Sequence, residues 1–261
     1  MDNNISNIVI SGYPKSGTSW LTRLIQESIP ADALGFLGEG KLGSDLTTSN
    51  NYSSKYKCYK THISYNKINE QKLDNLKIIH IIRDPLDIVA SSIHFFHFNR
   101  FPNLIRFLSK FPTGLRWYYL LLESKKYRIK VMSKILIKGN EKKLIHPYSN
   151  LSWLEYNLEF FNKENVFLIS YEQLLNDHIR LIKSLLFINK KINTDEVKLI
   201  YERNSAKKLK EFFRKSGDKQ NFHHIRNARL GEGLSTVKDP FKSLLLRDKH
   251  KIENQFKELD L

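Results

Sequence analysis

The segment from Gly12 to Trp20 concentrates residue types that bind anions. It reads Gly-Tyr-Pro-Lys-Ser-Gly-Thr-Ser-Trp and follows the short apolar run 8–10, which predicts a buried strand. Residues 18–29 carry apolar side chains at helical spacing, so the whole segment is typical of a strand, a loop and a helix. Backbone amides at the start of a helix bind anions, and glycines let the chain approach them closely. Further charge and hydroxyl donors come from Lys15, Ser16, Thr18 and Ser19.

The spacing of Gly12 and Gly17 is that of a nucleotide-binding P-loop, but the position of the lysine is different. A P-loop has its lysine directly after the second glycine, where this chain has Thr18, with Lys15 inside the loop instead. This difference argues against an ATP or GTP hydrolase. A P-loop kinase for a small molecule or a nucleotide stays open as the enzymatic alternative, with Asp84 as its candidate magnesium ligand.

Two further predicted strands end at residues that suit the same chemistry. The apolar run 76–82 leads to Arg83, whose guanidinium group suits a dianionic phosphate. The shorter run 56–60 leads to His62, and an imidazole has an ordinary pKa that suits a general base for a hydroxyl. Because ligands bind beyond the carboxyl ends of strands in open α/β sheets, we expect these residues to meet there.

These segments together resemble the sulfotransferase family. Residues 14–20 match its 5′-phosphosulfate loop, P-K-S-G-T-[TS]-W, and residues 83–91 match its 3′-phosphate motif, R-[ND]-P-x-D-x-x-x-S. Residues 60–62 match its K-T-H segment, and the histidine is typical of the cytosolic-type branch. The resemblance implies transfer of a sulfuryl group from PAPS (3′-phosphoadenosine-5′-phosphosulfate) to an acceptor hydroxyl, which releases PAP. It implies no metal ion.

The resemblance also implies a role for each site residue. His62 would remove the acceptor proton, while Lys15 and Lys60 would stabilise charge on the sulfuryl group. Trp20 would stack on the adenine, and Tyr171 would contact the adenine side of the donor. The 5′-phosphate would bind to the loop residues Ser16, Gly17, Thr18 and Ser19, and the 3′-phosphate to Arg83 and Ser91. Asp87 is interpreted as a capping or scaffold residue.

The family's third donor motif, R-K-G-x-x-G-D-W, has two competing candidates. Residues 214–217 have the right first two residues but a shortened spacing, whereas residues 226–233 keep the spacing and Gly231. We favour 226–233, because a tail of the expected kind follows it. Arg226 would then pair with the 3′-phosphate.

The order of elements predicts a single three-layer α/β/α domain over residues 1–261. Alternating strands and helices indicate a central parallel sheet covered on both faces, opened by the P-loop-like phosphosulfate loop. Residues 31–55, rich in Gly, Ser, Thr and Asn, are interpreted as an irregular surface segment. Strand 165–170 is followed by a helix over about 172–187, and the tail 236–261 ends in an amphipathic helix.

The net charge of +16 fits two interpretations equally: an anionic partner, such as a nucleic acid, a nucleotide, a membrane surface or an acidic glycan, or a lysine-rich surface that keeps the protein in solution. Nucleic-acid binding would rest on charge alone, because no recognition helix or aromatic RNA platform is visible, and we expect none. The single cysteine, Cys58, forms no internal disulfide and fits a reducing compartment. With no signal peptide and no apolar run long enough for a membrane span, we expect a cytoplasmic location.

Residues 94–150 contain no recognisable motif, although they are rich in Phe, Tyr and basic side chains. Three interpretations stay open for this region. It forms a cleft for a glycan or small-molecule acceptor, a packing surface for a second subunit, or a peripheral membrane contact.

Overall fold

The polypeptide forms two compact units that interleave along the sequence. The first contains residues 1–83 and 156–205, and the second contains residues 84–155 and 206–261. The structure is a computed structural model that describes residues 6–38, 55–97, 125–140, 148–189, 191–216 and 230–258, with no side chains for 94–97. Arg226, Gly217 and most of the predicted acceptor region lie outside the described residues. The prediction of a single domain over the whole chain stays a prediction.

A parallel sheet forms the centre of the first unit. Its strands among the described residues are β1 (Ser6–Gly12), β2 (Ala31–Phe36), β3 (Tyr56–Thr61), β4 (Leu76–Ile82) and β5 (Val166–Ser170). Their order is β2-β3-β1-β4-β5, and every neighbouring pair is parallel. All the carboxyl ends therefore lie at one edge of the sheet.

The two faces of this sheet differ in polarity, because successive side chains along a strand point to opposite faces. One face carries Ile8 and Ile10 of β1 and packs into the main apolar core with Leu21 and Leu24. The opposite face carries Ser11, which pairs in register with His80 on β4. Both are fully buried although they are polar, so this face contains a polar site inside the fold.

Helices of the first unit follow the strands, and most of them contribute residues to the apolar core. They are α1 (Thr18–Ser28), α2 (Tyr65–Asn69), α6 (Tyr171–Asn176), α7 (Ile179–Ile188) and α8 (Thr194–Arg203). Helix α1 packs on β1, β2 and β3 and against α7 and α8. A further helix, α5 (Trp153–Leu158), begins in the second unit and ends in the first.

The second unit is helical in its described residues. Helix α3 (Pro85–His97) packs against α4 (Lys125–Lys138), α10 (Glu232–Thr236) and α11 (Phe241–Glu258), while α9 spans Ala206–Lys215. The buried carboxylate of Asp87 on α3 accepts the amide N–H groups of Gly231 at 2.9 Å and Gly233 at 2.8 Å. A Cβ on Gly233 would lie 2.1 Å from the backbone of Leu86, so only glycine fits there. Asp87 is therefore a scaffold residue, as predicted.

The predicted α/β class with a central parallel sheet is confirmed, with two local errors in the elements. Residues 31–36, interpreted as part of an irregular segment, form β2 at the edge of the sheet, whereas 39–54 lie outside the described residues. The helix predicted over 172–187 is two helices, because Asp177 and His178 interrupt it. Among the described residues, no helix is both long and apolar enough to cross a membrane.

Candidate active site

Four loops that carry predicted site residues leave the sheet of the first unit at its carboxyl edge. The phosphosulfate loop 13–17 follows β1, His62 follows β3, Arg83 follows β4, and Tyr171 follows β5. The register pairs Thr61 with Ser11 and Ile81 with Gly12, so the ends of these strands are level with one another. The parallel topology thus brings together residues that are up to about 160 positions apart in the sequence.

The phosphosulfate loop turns tightly before α1 begins. Lys15 and Gly17 have left-handed φ angles of 73° and 97°, and the amide of Ser16 donates to the carbonyl of Tyr13 at 3.0 Å. A Cβ on Gly17 would lie 2.7 Å from the ring of Tyr171, so a larger residue has no room. Gly17, the N-cap residue of α1, has no side chain to cap the helix, so the amides of Thr18 and Ser19 are suited to a ligand, whereas the amide of Trp20 donates to the Gly17 carbonyl at 3.0 Å.

The buried donors of this loop fit an oxyanion. Within the part of the chain that the structure describes, the Ser16 hydroxyl and the Nε of Arg83 are buried without a hydrogen-bond partner. A buried polar group without a partner costs free energy, about 1–3 kcal/mol, which an anionic ligand would recover by accepting a hydrogen bond. The donor set of amides, a hydroxyl and a guanidinium is the one that phosphate and sulfate groups prefer.

The guanidinium group of Arg83 is held by two contacts within the same edge. Its Nη1 donates to the carbonyl of Lys15 at 3.0 Å, and its Cζ lies 4.3 Å from the ring centre of Tyr171. Tyr171 is buried at the start of α6, and its ring also meets Trp20 edge to face at 5.9 Å. Arg83 therefore stacks on an aromatic ring and supports the loop that it neighbours.

His62 is bound directly to the end of β1. Its Nδ1 lies 2.7 Å from the carbonyl oxygen of Gly12, and a carbonyl accepts but never donates a hydrogen bond. Nδ1 therefore carries the proton, and in the neutral ring Nε2 is the basic nitrogen. The same bond fixes the ring relative to the start of the phosphosulfate loop.

Lys60 and Phe36 complete the surroundings of His62. The Nζ of Lys60 donates to the Ser19 hydroxyl at 3.0 Å and lies 4.2 Å from the ring centre of Phe36. The rings of Phe36 and His62 are 6.0 Å apart. Phe36 was missed in the sequence because its strand has no continuous apolar run. It places an apolar surface beside the histidine.

Trp20 lies on the first turn of α1, among aromatic rings. Its indole N–H donates to the carbonyl of Asn204 at 2.9 Å, and its ring lies 6.2 Å from that of Tyr201. The indole is half-buried, so it packs on the core and still presents surface to solvent. Its predicted role in adenine stacking stays a prediction.

The remaining predicted residues belong to the second unit. Ser91 is buried on α3, and Arg226 lies outside the described residues. Asp84, the magnesium ligand of the kinase alternative, caps α3 instead: its Oδ1 accepts the N–H of Leu86 at 2.8 Å. Its Oδ2 pairs with Lys249 at 2.7 Å. Both carboxylate oxygens are thus engaged in structural contacts, which argues against the kinase alternative.

Comparisons with known proteins show the family and the fold. The family model described as Sulfotransferase domain matches residues 6–232. The chain is 23% identical over 242 residues to the 3-beta-hydroxysteroid sulfotransferase of Cavia porcellus, covering 87% of this chain and 72% of that protein.

Solved structures show the same fold. Mouse sulfotransferase SULT7A1 complexed with PAP superposes with a TM-score of 0.61 at 20% identity, covering 97% of this chain and 83% of that one. Retinol dehydratase in a complex with retinol and PAP gives a TM-score of 0.61 at 17% identity, covering 99% and 83%. Because the family model spans most of the sequence, this chain belongs to the sulfotransferase family.

Proposed function

We propose that this protein transfers a sulfuryl group from PAPS to the hydroxyl of a small-molecule alcohol, with His62 as general base. The observation that carries the proposal is the 2.7 Å hydrogen bond between His62 and Gly12. It joins a base in a defined tautomer to the start of an anion-binding loop. PAP in the structures of mouse SULT7A1 and retinol dehydratase supports the choice of donor.

Different residues bind the phosphates and the adenine of the donor. The first-turn amides of α1 and the hydroxyls of Ser16, Thr18 and Ser19 hold the 5′-phosphate. Arg83 holds the 3′-phosphate, and Trp20 and Tyr171 contact the adenine. The resemblance to the family adds Ser91 and Arg226 as further ligands of the 3′-phosphate. A guanidinium that stacks on the Tyr171 ring is already oriented, so little entropy is lost when it binds a phosphate.

The chemical step then follows from His62 and the two lysines. The acceptor O–H faces Nε2 of His62, which takes its proton while the acceptor oxygen bonds to sulfur. The bond from sulfur to the 5′-phosphate oxygen breaks, and PAP leaves. Lys15 and Lys60 stabilise the negative charge on the transferring group and on the leaving oxygen.

The acceptor is the finer part of this proposal. The Phe36 ring, 6.0 Å from that of His62, favours a hydroxyl carried on an apolar skeleton over a glycan. The similarity to the 3-beta-hydroxysteroid sulfotransferase and to retinol dehydratase in complex with retinol also supports a small-molecule acceptor. A glycan acceptor is the alternative within the same reaction.

Two measurements test the proposal. Isothermal titration should show PAP binding without magnesium, whereas binding of ATP that requires magnesium, with none of PAP, would favour a kinase. A screen with radiolabelled PAPS against hydroxysteroids, retinoids, phenols and oligosaccharides then identifies the acceptor class. Transfer only to oligosaccharides would overturn the small-molecule assignment and leave the sulfuryl transfer intact.

A further inference from the structure

One face of α4 in the second unit carries an unusual concentration of exposed positive charge. The helix Lys125–Lys138 has six basic residues and no Asp or Glu. Four of its lysines follow each other at intervals of four residues, all exposed to solvent. We call these residues the lysine row: Lys126, Lys130, Lys134 and Lys138. Its members rise about 6 Å per step and occupy one inclined arc of the helix surface.

The lysine row has no counter-charges within the described part of the chain. None of its ammonium groups lies within salt-bridge distance of a carboxylate among those residues. Like charges four residues apart destabilise a helix by a few tenths of a kcal/mol per pair. The opposite arc, with Met132, Ile135 and Leu136, is buried, so the helix cannot rotate the row away from solvent. This arrangement fits a partner that supplies the missing negative charge.

We propose that the lysine row is a docking surface for an anionic lipid membrane. Flexible ammonium groups attract a diffuse charged surface, whereas recognition of individual phosphates on nucleic acid relies more on arginine forks. The arc also carries Tyr127, 44% exposed, and tyrosine is enriched at the headgroup level of membranes. A convex helix face lies flat on a bilayer and offers no groove for a linear polyanion. The proposal does not depend on the proposed reaction.

Vesicle flotation tests this surface directly. We expect the protein to bind vesicles that contain about one-third phosphatidylserine and not pure phosphatidylcholine vesicles, with binding weakened by added salt. Replacing all four lysines of the row by glutamine should weaken binding on the order of 100-fold, since each contributes a factor of several.

A matched variant separates position from total charge. Its four substitutions, also to glutamine, are at the exposed residues Lys183, Lys198, Lys238 and Lys257 on other elements, and it should keep most of the binding. Equal losses in the two variants would overturn the assignment to α4. Binding to RNA or heparin with none to anionic vesicles would overturn the membrane assignment.

A second, independent observation concerns the polar face of the sheet in the first unit. Tyr156 is fully buried, and its hydroxyl donates to the carbonyl of Ile63 at 3.2 Å and lies 3.2 Å from the Ser11 hydroxyl. Ser11 in turn lies 3.3 Å from Nδ1 of His80, whose Nε2 lies 2.9 Å from Asn157 Oδ1. Since an amide oxygen only accepts, His80 donates to Asn157 and accepts from Ser11. We call these four side chains the Tyr156 network.

The Tyr156 network touches both loops of the candidate site. Ile63 directly follows His62, and the ring of Tyr156 meets Tyr13 of the phosphosulfate loop edge to face at 5.3 Å. One side chain therefore contacts the backbone beside the base and an aromatic residue of the donor loop. We infer that Tyr156 is a positioning residue that holds the two loops in register, an inference that rests on the proposed function of His62.

Tyr156→Phe tests this inference, because it keeps the ring and removes only the hydroxyl. We expect kcat to fall roughly tenfold while the Kd of PAP stays within about twofold, since the donor residues are untouched. Tyr65→Phe is the matched control. It removes a hydroxyl that donates to Asn165 at 3.1 Å, away from the His62–Gly12 bond, and should keep its kcat. Ser11→Ala, which removes the link to His80, should lower kcat less than Tyr156→Phe.

Hydrogen exchange of the free protein makes the result independent of any reaction. In Tyr156→Phe, amides of residues 13–17 and 61–64 should exchange roughly tenfold faster, and those of α7 should not change. Faster exchange without measurable sulfuryl transfer in the wild type would sink the proposed function and keep the coupling of the loops. Unchanged exchange and unchanged kcat would overturn the inference about Tyr156.

Discussion

Two histidines on the same sheet illustrate how its edge differs from its interior. His62 lies just beyond the end of β3 and is half-buried, whereas His80 lies within β4 and is fully buried. His62 bonds to the Gly12 carbonyl beside the phosphosulfate loop. His80 stacks on Phe160, with ring centres 3.7 Å apart, and bonds to Asn157. The same residue type therefore serves a candidate base at the edge and a core polar group in the interior.

The two environments also differ in what they allow the imidazole to do. Burial lowers the pKa of His80 to about 3, so this ring is neutral around neutral pH. His62 donates the proton on Nδ1 to a carbonyl, so Nε2 is the basic nitrogen of its neutral ring. Position relative to the strand end, more than the residue itself, distinguishes a base from a structural histidine.

The largest expected effect is at the edge. His62→Ala should lower kcat by about 10²- to 10⁴-fold, the range typical of a lost general base. PAP binding should change less than about twofold, because no donor contact is assigned to this ring. Single-turnover kinetics with radiolabelled PAPS and titration with PAP measure the two quantities. His250→Ala, an exposed histidine on α11, is the control; a parallel loss of PAP binding in His62→Ala would contradict the assignment.

The next largest effect is expected in the interior of the sheet, at Cys58 on β3, four residues before His62. Burial raises the pKa of Cys58 to about 12 from an ordinary value of 9.0. At about pH 8 the thiolate fraction is then roughly 10³ times smaller in the folded chain than in the unfolded one, and labelling by a thiol reagent should slow accordingly. Labelling in concentrated urea supplies the comparison. Rapid reaction of the native protein would show that β3 is open to solvent, and the contrast between edge and interior would fail.

The donor side of the edge is tested by Arg83→Ala. The loss of charge-assisted hydrogen bonds should weaken PAP binding roughly 10- to 100-fold. Adenosine-5′-phosphosulfate, which lacks the 3′-phosphate, should lose much less affinity. The control is Arg23→Ala, which removes an arginine paired with Glu27 on α1. Equal losses for both ligands would contradict a role at the 3′-phosphate and indicate a role in loop support through Lys15.

The residues at the carboxyl edge of the sheet were easier to predict from the sequence than the contacts in its interior, for a physical reason. Loop 12–20, Arg83 and His62 are each recognisable within a short stretch, because anion binding needs glycine, lysine and hydroxyl residues side by side. The apolar runs also located β1, β4 and β5, since strands buried on both faces are continuously apolar. These features are local, so they can be predicted without knowing the fold.

Features that depend on distant partners were not predicted. Among the strands that the structure describes, β2, Ala31–Phe36, is the outermost and pairs with β3 alone, so it needs few apolar residues and Phe36 was missed. Ser11 and Tyr156 meet although 145 positions separate them, and nothing near either residue indicates the other. Polar residues in a buried strand find such partners only once the sheet has formed.

The smallest effect that we predict is a pH-dependent loss of stability that originates at His80. The unfolded chain binds a proton at this residue near the ordinary pKa of 6.5, whereas the folded chain resists it until about pH 3. The unfolded state therefore binds more protons between these values, and stability falls as the pH drops below 6.5. Between about pH 6.5 and pH 5 this single group should lower the free energy of unfolding by about 2 kcal/mol.

His80→Gln isolates that contribution, because glutamine has no charge to gain and still offers an amide to Asn157. Urea unfolding at the two pH values gives, for each protein, the change in the free energy of unfolding on acidification. The difference between the two changes isolates His80, because the other histidines contribute equally to both proteins. The variant should be less stable than the wild type near neutral pH, since the stacking on Phe160 is lost, but should lose about 2 kcal/mol less on acidification. Equal acid losses would mean that water or a carboxylate reaches His80 in the folded protein. His80 in the interior would then be able to take up a proton in the folded protein, and burial alone would no longer distinguish it from His62 at the carboxyl edge.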